Sequence, residues 1–215
     1  MDNKSLNKNS PVTNHRQFQK SETRRLILKA ARDLFEKYGF EKTTMRALSA
    51  KTHMGYGTIF KHFSNKQELL AACLYEQIEN VLIKAVETLP TNSGLKPQFM
   101  HVASRLIRHY AERPKLSKTL IEHMVVLDGS WKDKMDSQVD SFLRFLDDLI
   151  QNSKNRGEIR KDIENSLLSL SFFSIYLSTL ALSLREQKFD PEKTITMIDR
   201  LLDLQMNGVL SNKVS

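Results

Sequence analysis

Between Thr43 and Lys66 the chain concentrates side chains suited to gripping a polyanion rather than to breaking bonds. Thr43, Thr44 and Thr58 supply hydroxyls, Arg46, Lys61 and Lys66 supply cations, and Tyr56, Phe60 and His62 supply rings. These 24 residues contain no Asp or Glu. Such groups donate to phosphate oxygens and to the edges of bases. A reaction centre would instead need a nucleophile, acid or base held beside a partner, and none is apparent in this stretch.

The spacing assigns roles within the stretch. Thr43 or Thr44 caps a helix, and each hydroxyl or backbone N–H either serves the cap alone or also meets a phosphate. Gly55 and Gly57 flank Tyr56 at the start of another helix, where each glycine costs roughly 1 kcal/mol against alanine. One turn explains one glycine; two imply close approach of backbone to another surface. Tyr56 and Thr58 then face base edges or phosphates, with Gly55 and Gly57 admitting the groove wall. Ile59 and Phe63, four apart, read as core, and Lys61 and His62 as outward contacts beside Phe60. Lys66 opposes the dipole of the helix it opens, so a phosphate held with the free amides is its expected task.

The elements that position these groups follow from apolar periodicity. Leu26, Ile27, Ala30, Ala31, Leu34, Phe35 and Tyr38 predict a helix from about Ser21 to Tyr38, closed by Gly39. A second spans Thr43 or Thr44 to about Lys51 and a third Tyr56 to Phe63. A fourth opens at Asn65, whose capping box uses Glu68, and keeps helical spacing to Leu89 before Pro90. Thr91–Lys96 is a loop. Helices follow at about 97–112, 114–127, 131–154, 163–187 and 191–209, the last capped by Asp190 with Pro191 in its first turn. No alternating pattern suggests a strand, so the fold is all-α. It comprises an N-terminal three-helix, helix-turn-helix DNA-binding domain (21–68) and a C-terminal helical domain (69–215).

Charge separates the two parts. Residues 1–70 hold 14 Lys and Arg against six Asp and Glu, whereas the remainder holds 19 of each, so the whole net charge of +8 sits in the first third. That distribution fits a polyanion-binding module joined to a neutral one. Residues 1–20 are expected to be a disordered basic tail bearing Lys4, Lys8, Arg16 and Lys20, with a basic arm reaching along DNA as its alternative. They contain no signal-peptide core, so a cytoplasmic location is expected. The single cysteine, Cys73, sits among apolar neighbours and reads as core in a reducing compartment. Leu167–Leu184 is free of charge for 18 residues, but serines dilute it and no cationic cluster anchors it. It reads as a buried helix, with no membrane partner.

The segment 21–74 resembles the bacterial TetR/AcrR family of transcriptional regulators. Phe40-Glu41-Lys42-Thr43-Thr44 matches a Phe-x-x-Thr-Thr motif, and Gly57 to Leu69 matches Gly-Thr-Ile-Phe-Lys-His-Phe-x-x-Lys-x-x-Leu. Gly157–Glu164 is a weaker echo of the turn before the family's first dimerisation helix. Three residues depart from the pattern: His53 stands where the turn usually has Gly, Met54 where a β-branched residue is usual, and Phe60 in place of Tyr. A slightly distorted turn and one lost phosphate-contacting hydroxyl are the expected consequences.

The resemblance implies that 69–215 is a ligand-binding and dimerisation domain and that the chain forms a homodimer, built from the last two long helices, on the palindromic operator of double-stranded DNA. Ser171, Ser174, Ser178 and Ala181 form a small-residue stripe there. Leu170, Phe173, Leu177, Leu180 and Leu184 form a bulky one, and Ile195, Ile198, Leu202 and Val209 another. It also implies a pocket for an apolar or mixed small molecule. Tyr75, Phe99, Met100, His101, Met124, Phe142, Phe145, Phe172 and Tyr176 are candidate linings, each with ordinary core as its alternative. No enzyme, cofactor or metal motif is present. The expected function is a repressor released from DNA by that ligand; the alternative is a ligand-independent architectural or nucleoid-associated DNA binder.

Overall fold

A computed structural model describes residues 11–124 and 129–207 as nine α-helices with no strand among them. In order these are α1 (Pro11–Tyr38), α2 (Met45–Thr52), α3 (Tyr56–Phe60), α4 (Lys66–Glu87), α5 (Leu95–Glu112), α6 (Pro114–Met124), α7 (Gly129–Asn155), α8 (Asn165–Ser183) and α9 (Pro191–Asn207). The chain divides into two compact units, residues 1–73 and 74–215, with α4 contributing to both.

The first unit is closed by α1 to α3 and the start of α4. Ile27, Leu28, Ala31, Phe35, Leu48, Ile59, Phe63, Leu69 and Cys73 are its buried core. The apolar stripe of α1 is turned slightly from the expected one, with Leu28 inside and Leu26 and Tyr38 exposed. Gly39 ends α1 at φ +81°, donating to the Phe35 carbonyl at 2.9 Å, the left-handed stop that glycine permits. Helix α1 begins ten residues earlier than the periodicity suggested. Residues 11–20, expected in a disordered tail, are helical, because nothing in Val12–Lys20 breaks a helix and Pro11 suits a first turn. Residues 1–10 lie outside the described residues.

The turn between α2 and α3 is held by the chain itself. Thr44 caps α2, its hydroxyl accepting from Ala47 N–H at 3.1 Å. Ser49 Oγ donates to the Met54 carbonyl at 2.6 Å. His53 takes the left-handed conformation, φ +54° and ψ +25°, that glycine ordinarily takes in such a turn. The turn is therefore kept in shape, at the cost of a side chain in a region L-residues avoid. At α4, Asn65 Oδ1 accepts from Glu68 N–H at 2.7 Å as expected. The reciprocal half is displaced by one residue: the Glu68 carboxylate takes the N–H and the hydroxyl of Ser64, both at 2.7 Å.

The second unit packs α5, α7, α8 and α9 around Leu95, Phe99, Val102, Ile107, Leu146, Ile150, Phe172, Leu180, Ile198 and Leu202. The Phe99 and Phe172 rings lie 4.1 Å apart at its centre. Glu158, just after Gly157 (φ +77°), reaches back to accept from Leu95 N–H at 2.6 Å, giving α5 a cap from a distant part of the chain. A Cβ on Gly94 would lie 2.6 Å from that carboxylate oxygen. Asp190 caps α9 through the N–H groups of Glu192 and Lys193.

Helix α8 has the length and mean hydropathy of a membrane span, 19 residues and 1.5. Phe172, Tyr176, Thr179 and Leu180 are buried within the unit, and Ser169 donates to the Asp147 carboxylate. Leu180 and Leu184 of the bulky stripe, with Ile198 and Leu202 of α9, are core of one chain rather than an exposed seam. The same amphipathic spacing fits either side of a helix layer, which is why sequence did not separate them. Leu170 of the bulky stripe is exposed, together with Leu167 and Leu182 of α8 and Met197, Leu204 and Met206 of α9. Val209 lies outside the described residues.

Replacing His53 by glycine should stabilise the protein by roughly 0.5–1 kcal/mol, because the left-handed turn then carries no side-chain penalty. Urea denaturation checks this; a lower midpoint would contradict the turn geometry.

Candidate nucleic-acid interface

No Asp or Glu occurs from Lys42 to Gln67, and the structure turns this acid-free stretch into a surface. Leu48, Ile59 and Phe63 point inward, so Thr44, Arg46, Gly55, Tyr56, Gly57, Thr58, Phe60 and Lys61 are left exposed. Tyr56, 53% exposed, stacks on Phe60, 38% exposed, with ring centroids 4.6 Å apart. Two large aromatic rings open to solvent on a five-residue helix gain little from burial, and their phenol and faces suit base and sugar contact. Neither glycine of α3 is demanded by packing. A Cβ on Gly57 would meet nothing within 4 Å, and one on Gly55 only the Thr58 hydroxyl at 3.9 Å. Their backbone is bare toward open space, the condition for close approach by another molecule.

Three expected contacts are placed differently. Thr43 is 3% exposed and its hydroxyl donates to the Gly39 carbonyl at 2.8 Å, so it locks the α1–α2 turn and offers nothing outward. Lys61 and His62 follow α3 as a turn instead of extending it to Phe63, with Lys61 exposed and His62 half-buried. The ammonium of Lys66 does not stand out as an anion site. It donates to the carbonyls of Phe40 at 2.8 Å and Glu41 at 3.3 Å, lies 4.2 Å from the Phe40 ring centroid, and has the Glu41 carboxylate at 4.0 Å. The dipole argument noticed a cation where helix stability does not favour one; the compensation lies in the α1–α2 turn, 25 residues back. Sequence carried no sign of that return contact.

Helix α1 adds a component that motif matching missed. Arg24 places its guanidinium 4.5 Å from the centre of the Phe63 ring. Burial holds the His62 imidazole below its ordinary pKa, and the nearby charges of Lys20 and Arg24 depress it further. Cations of α1 therefore flank the end of the α2–α3 surface.

In the second unit the candidate ligand residues separate. Phe99 and Phe172 are fully packed core. Phe142 and Tyr176 line a small, partly open cavity of about 50 Å³ together with Ile78, Leu82, Tyr110 and Gln138. Tyr75 and Phe145 line an open apolar groove of about 470 Å³ between α4 and α7. Met100 and His101 line a third, wider groove with Lys84 and Arg105. The Met124 side chain lies outside the described residues. Sequence missed Tyr110 and Gln138. The phenol of Tyr110 is fully buried, which pushes its pKa up to about 12, and it shares a hydrogen bond with Tyr176, itself raised by burial. Gln138 Nε2 donates to the Tyr75 carbonyl at 3.1 Å. Among the described residues no cluster of His, Cys, Asp and Glu is arranged to hold a metal.

Residues 27–73 match the family described as bacterial regulatory proteins, tetR family. The HTH-type transcriptional repressor KstR of Mycobacterium tuberculosis is 24% identical over 183 residues, covering 84% of this chain and 80% of that protein. The fold is similar to FadR of Bacillus subtilis, a transcriptional regulator solved with stearoyl-CoA (TM-score 0.73, 18% identity, 86% and 98% of the two chains). It is also similar to Thermus thermophilus FadR, a repressor solved with lauroyl-CoA (TM-score 0.69, 16% identity, 89% and 97%).

Burial also depresses the pKa of His101, with Arg105 adding to it. With both folded-state values below the ordinary 6.5, the unfolded chain binds more protons there, so stability falls as pH drops through about 6.5 and is unaffected by these groups above it. Urea midpoints between pH 5.5 and 8 should show this decline, and the His62→Gln/His101→Gln double variant should flatten it. An equal slope in the double variant would contradict it.

Proposed function

We propose, from the premise that this chain belongs to the TetR family of bacterial regulatory proteins and is a DNA-binding transcriptional regulator, that it is a cytoplasmic homodimeric repressor of a palindromic operator, released by a small ligand with an apolar body. The observation that carries the DNA half is the exposed, acid-free surface of α2 and α3, with two glycines that internal packing does not require. Thr44, Arg46 and Lys61 contact phosphates. Tyr56 and Thr58 reach base edges, Gly55 and Gly57 let the backbone approach, and Phe60 braces Tyr56. His62 donates to a phosphate from the end of the surface.

The exposed apolar residues of α8 and α9, with the small side chains of Ser174 and Ser178 between them, support a two-fold interface between copies. A dimer then presents two α3 helices to successive major-groove half-sites, about 34 Å apart.

The small apolar cavity supports the ligand half. At about 50 Å³ it has room for one or two water molecules, far less than an acyl chain occupies. The fatty acyl thioesters held by the two FadR proteins illustrate an apolar body of that kind. Such a ligand enters only by displacing Ile78 and Leu82 on one side and Phe142 and Tyr176 on the other. Because α4 is one unbroken helix from Lys66 to Glu87, displacement at residues 78–82 moves its N-terminus. There Lys66 holds the turn that precedes Thr44 and α2. Ligand occupancy thereby shifts the DNA-reading surface, the differential between two states that release requires.

Selection of bound sites from random duplex DNA tests the function: a shared palindrome is expected, and tight binding without shared sequence would favour the architectural alternative. Gly57→Ala separates folding from recognition. It should raise stability by roughly 0.5–1 kcal/mol and weaken operator binding about tenfold, or about 1.4 kcal/mol. Unchanged affinity for the selected site would remove Gly57 from the interface.

A further inference from the structure

The first turns of α1 are a helix with no visible reason to be where they are. Residues 15–20 are all exposed, so no packing holds them. Residues 11–20 contain no acid, and the first turn lacks the carboxylate that would suit the helix dipole. Arg16, Lys20 and Arg24 stand at i, i+4 and i+8, one above another on one side of the helix. Like charges at that spacing oppose helix formation by a few tenths of a kcal/mol per pair. Among the described residues no carboxylate pairs with Arg16 or Lys20, and Glu22, the nearest acid on the helix, is engaged by Arg25 at 2.5 and 2.9 Å.

The row has a fixed starting point. Arg24 lies on the Phe63 ring, and Lys20 and Arg24 are both close enough to His62 to depress its pKa, so the row begins at the end of the α2–α3 surface. From Arg24 to Arg16 it runs about 12 Å outward along the helix axis. A duplex carries one charge per roughly 1.7 Å of its axis, so a rigid cationic edge that continues the reading surface meets further phosphates.

We propose that the N-terminal extension of α1 is a rigid arm that grips the DNA backbone outside the region read by α3, with Arg16 and Lys20 each contacting a phosphate. The proposal rests on the DNA-binding reading above and adds affinity without sequence preference. The opposite charge of the backbone offsets the repulsion along the row, and ordering the arm beforehand as helix avoids the entropy that a flexible tail would lose on binding.

The test measures the affinity of the full chain for its selected operator and for a random duplex of equal length, across salt. Arg16→Ala/Lys20→Ala should lower the slope of log affinity against log salt by about two for each subunit bound, so by about four for the dimer, and weaken both duplexes alike, roughly 10–100-fold per subunit near 0.1 M salt. Exchanging the cations, Arg16→Lys/Lys20→Arg, should restore the slope, and Lys37→Ala, at the far end of the same helix, should leave it unchanged. An unchanged slope in the double alanine variant overturns the arm while leaving operator recognition intact. An equal loss from Lys37→Ala also overturns it, since the effect would then be one of net charge. Failure of the wild-type chain to bind either duplex overturns the DNA-binding reading itself, and the arm with it.

Discussion

A lysine in the first turn of a helix is set against the helix dipole, and the placement of the reading surface depends on how this chain resolves that conflict at Lys66. The ammonium turns away from its own helix and spends its donors on the carbonyls of Phe40 and Glu41, over the face of the Phe40 ring. Those carbonyls belong to the turn that Gly39 opens and Thr43 locks, and Thr44, the next residue, starts α2. One side chain thus ties the beginning of α4 to the beginning of α2. The second unit repeats the device where α7 meets α8: the largely buried Lys154 ammonium donates to the carbonyls of Lys161 and Ile163.

In the proposed mechanism this tie is the step by which a change along α4 reaches the DNA-reading surface. Cavity residues and clamp residue share one helix, with Ile78 and Leu82 three to four turns beyond Lys66. A cavity too small for an apolar chain in the described state favours a different packing once filled, and packed interiors change by discrete rearrangement rather than smooth stretching. The buried phenols of Tyr110 and Tyr176 satisfy each other in that state, so a ligand that separates them must replace their hydrogen bond.

Much of the fold was legible because helices announce themselves by period and punctuation. Gly39, Asn65, Pro90 and Asp190 end or start elements where their chemistry says they should. The surface of α2 and α3 was legible for a second reason: a run without acid, holding two glycines and exposed aromatics, violates what a stable short helix would choose. The misassigned groups share one cause. Lys66, Leu180 and Ile198 each had a partner distant in sequence, or a burial decided by a neighbouring helix layer, and periodicity along one helix cannot tell the core of one chain from the seam between two; Thr43 instead turned its hydroxyl back to the nearby Gly39 carbonyl, which a capping pattern does not reveal. Tyr110 and Gln138 were overlooked because a buried phenol and a half-buried amide look, in sequence, like any other tyrosine and glutamine on an amphipathic helix. Helix α1 extended past its expected start because tail-like polarity does not forbid a helix.

The direct measurement of this account is the salt dependence of operator binding by Lys66→Ala, with amide hydrogen exchange of residues 40–48 followed in the same variant. A clamp that positions the surface predicts weaker binding with an unchanged salt slope and faster exchange across the turn and the start of α2, with Lys66→Arg intermediate. A slope reduced by about one unit per bound subunit, with exchange of residues 40–48 unaltered, would show Lys66 to be a phosphate contact and would contradict the account.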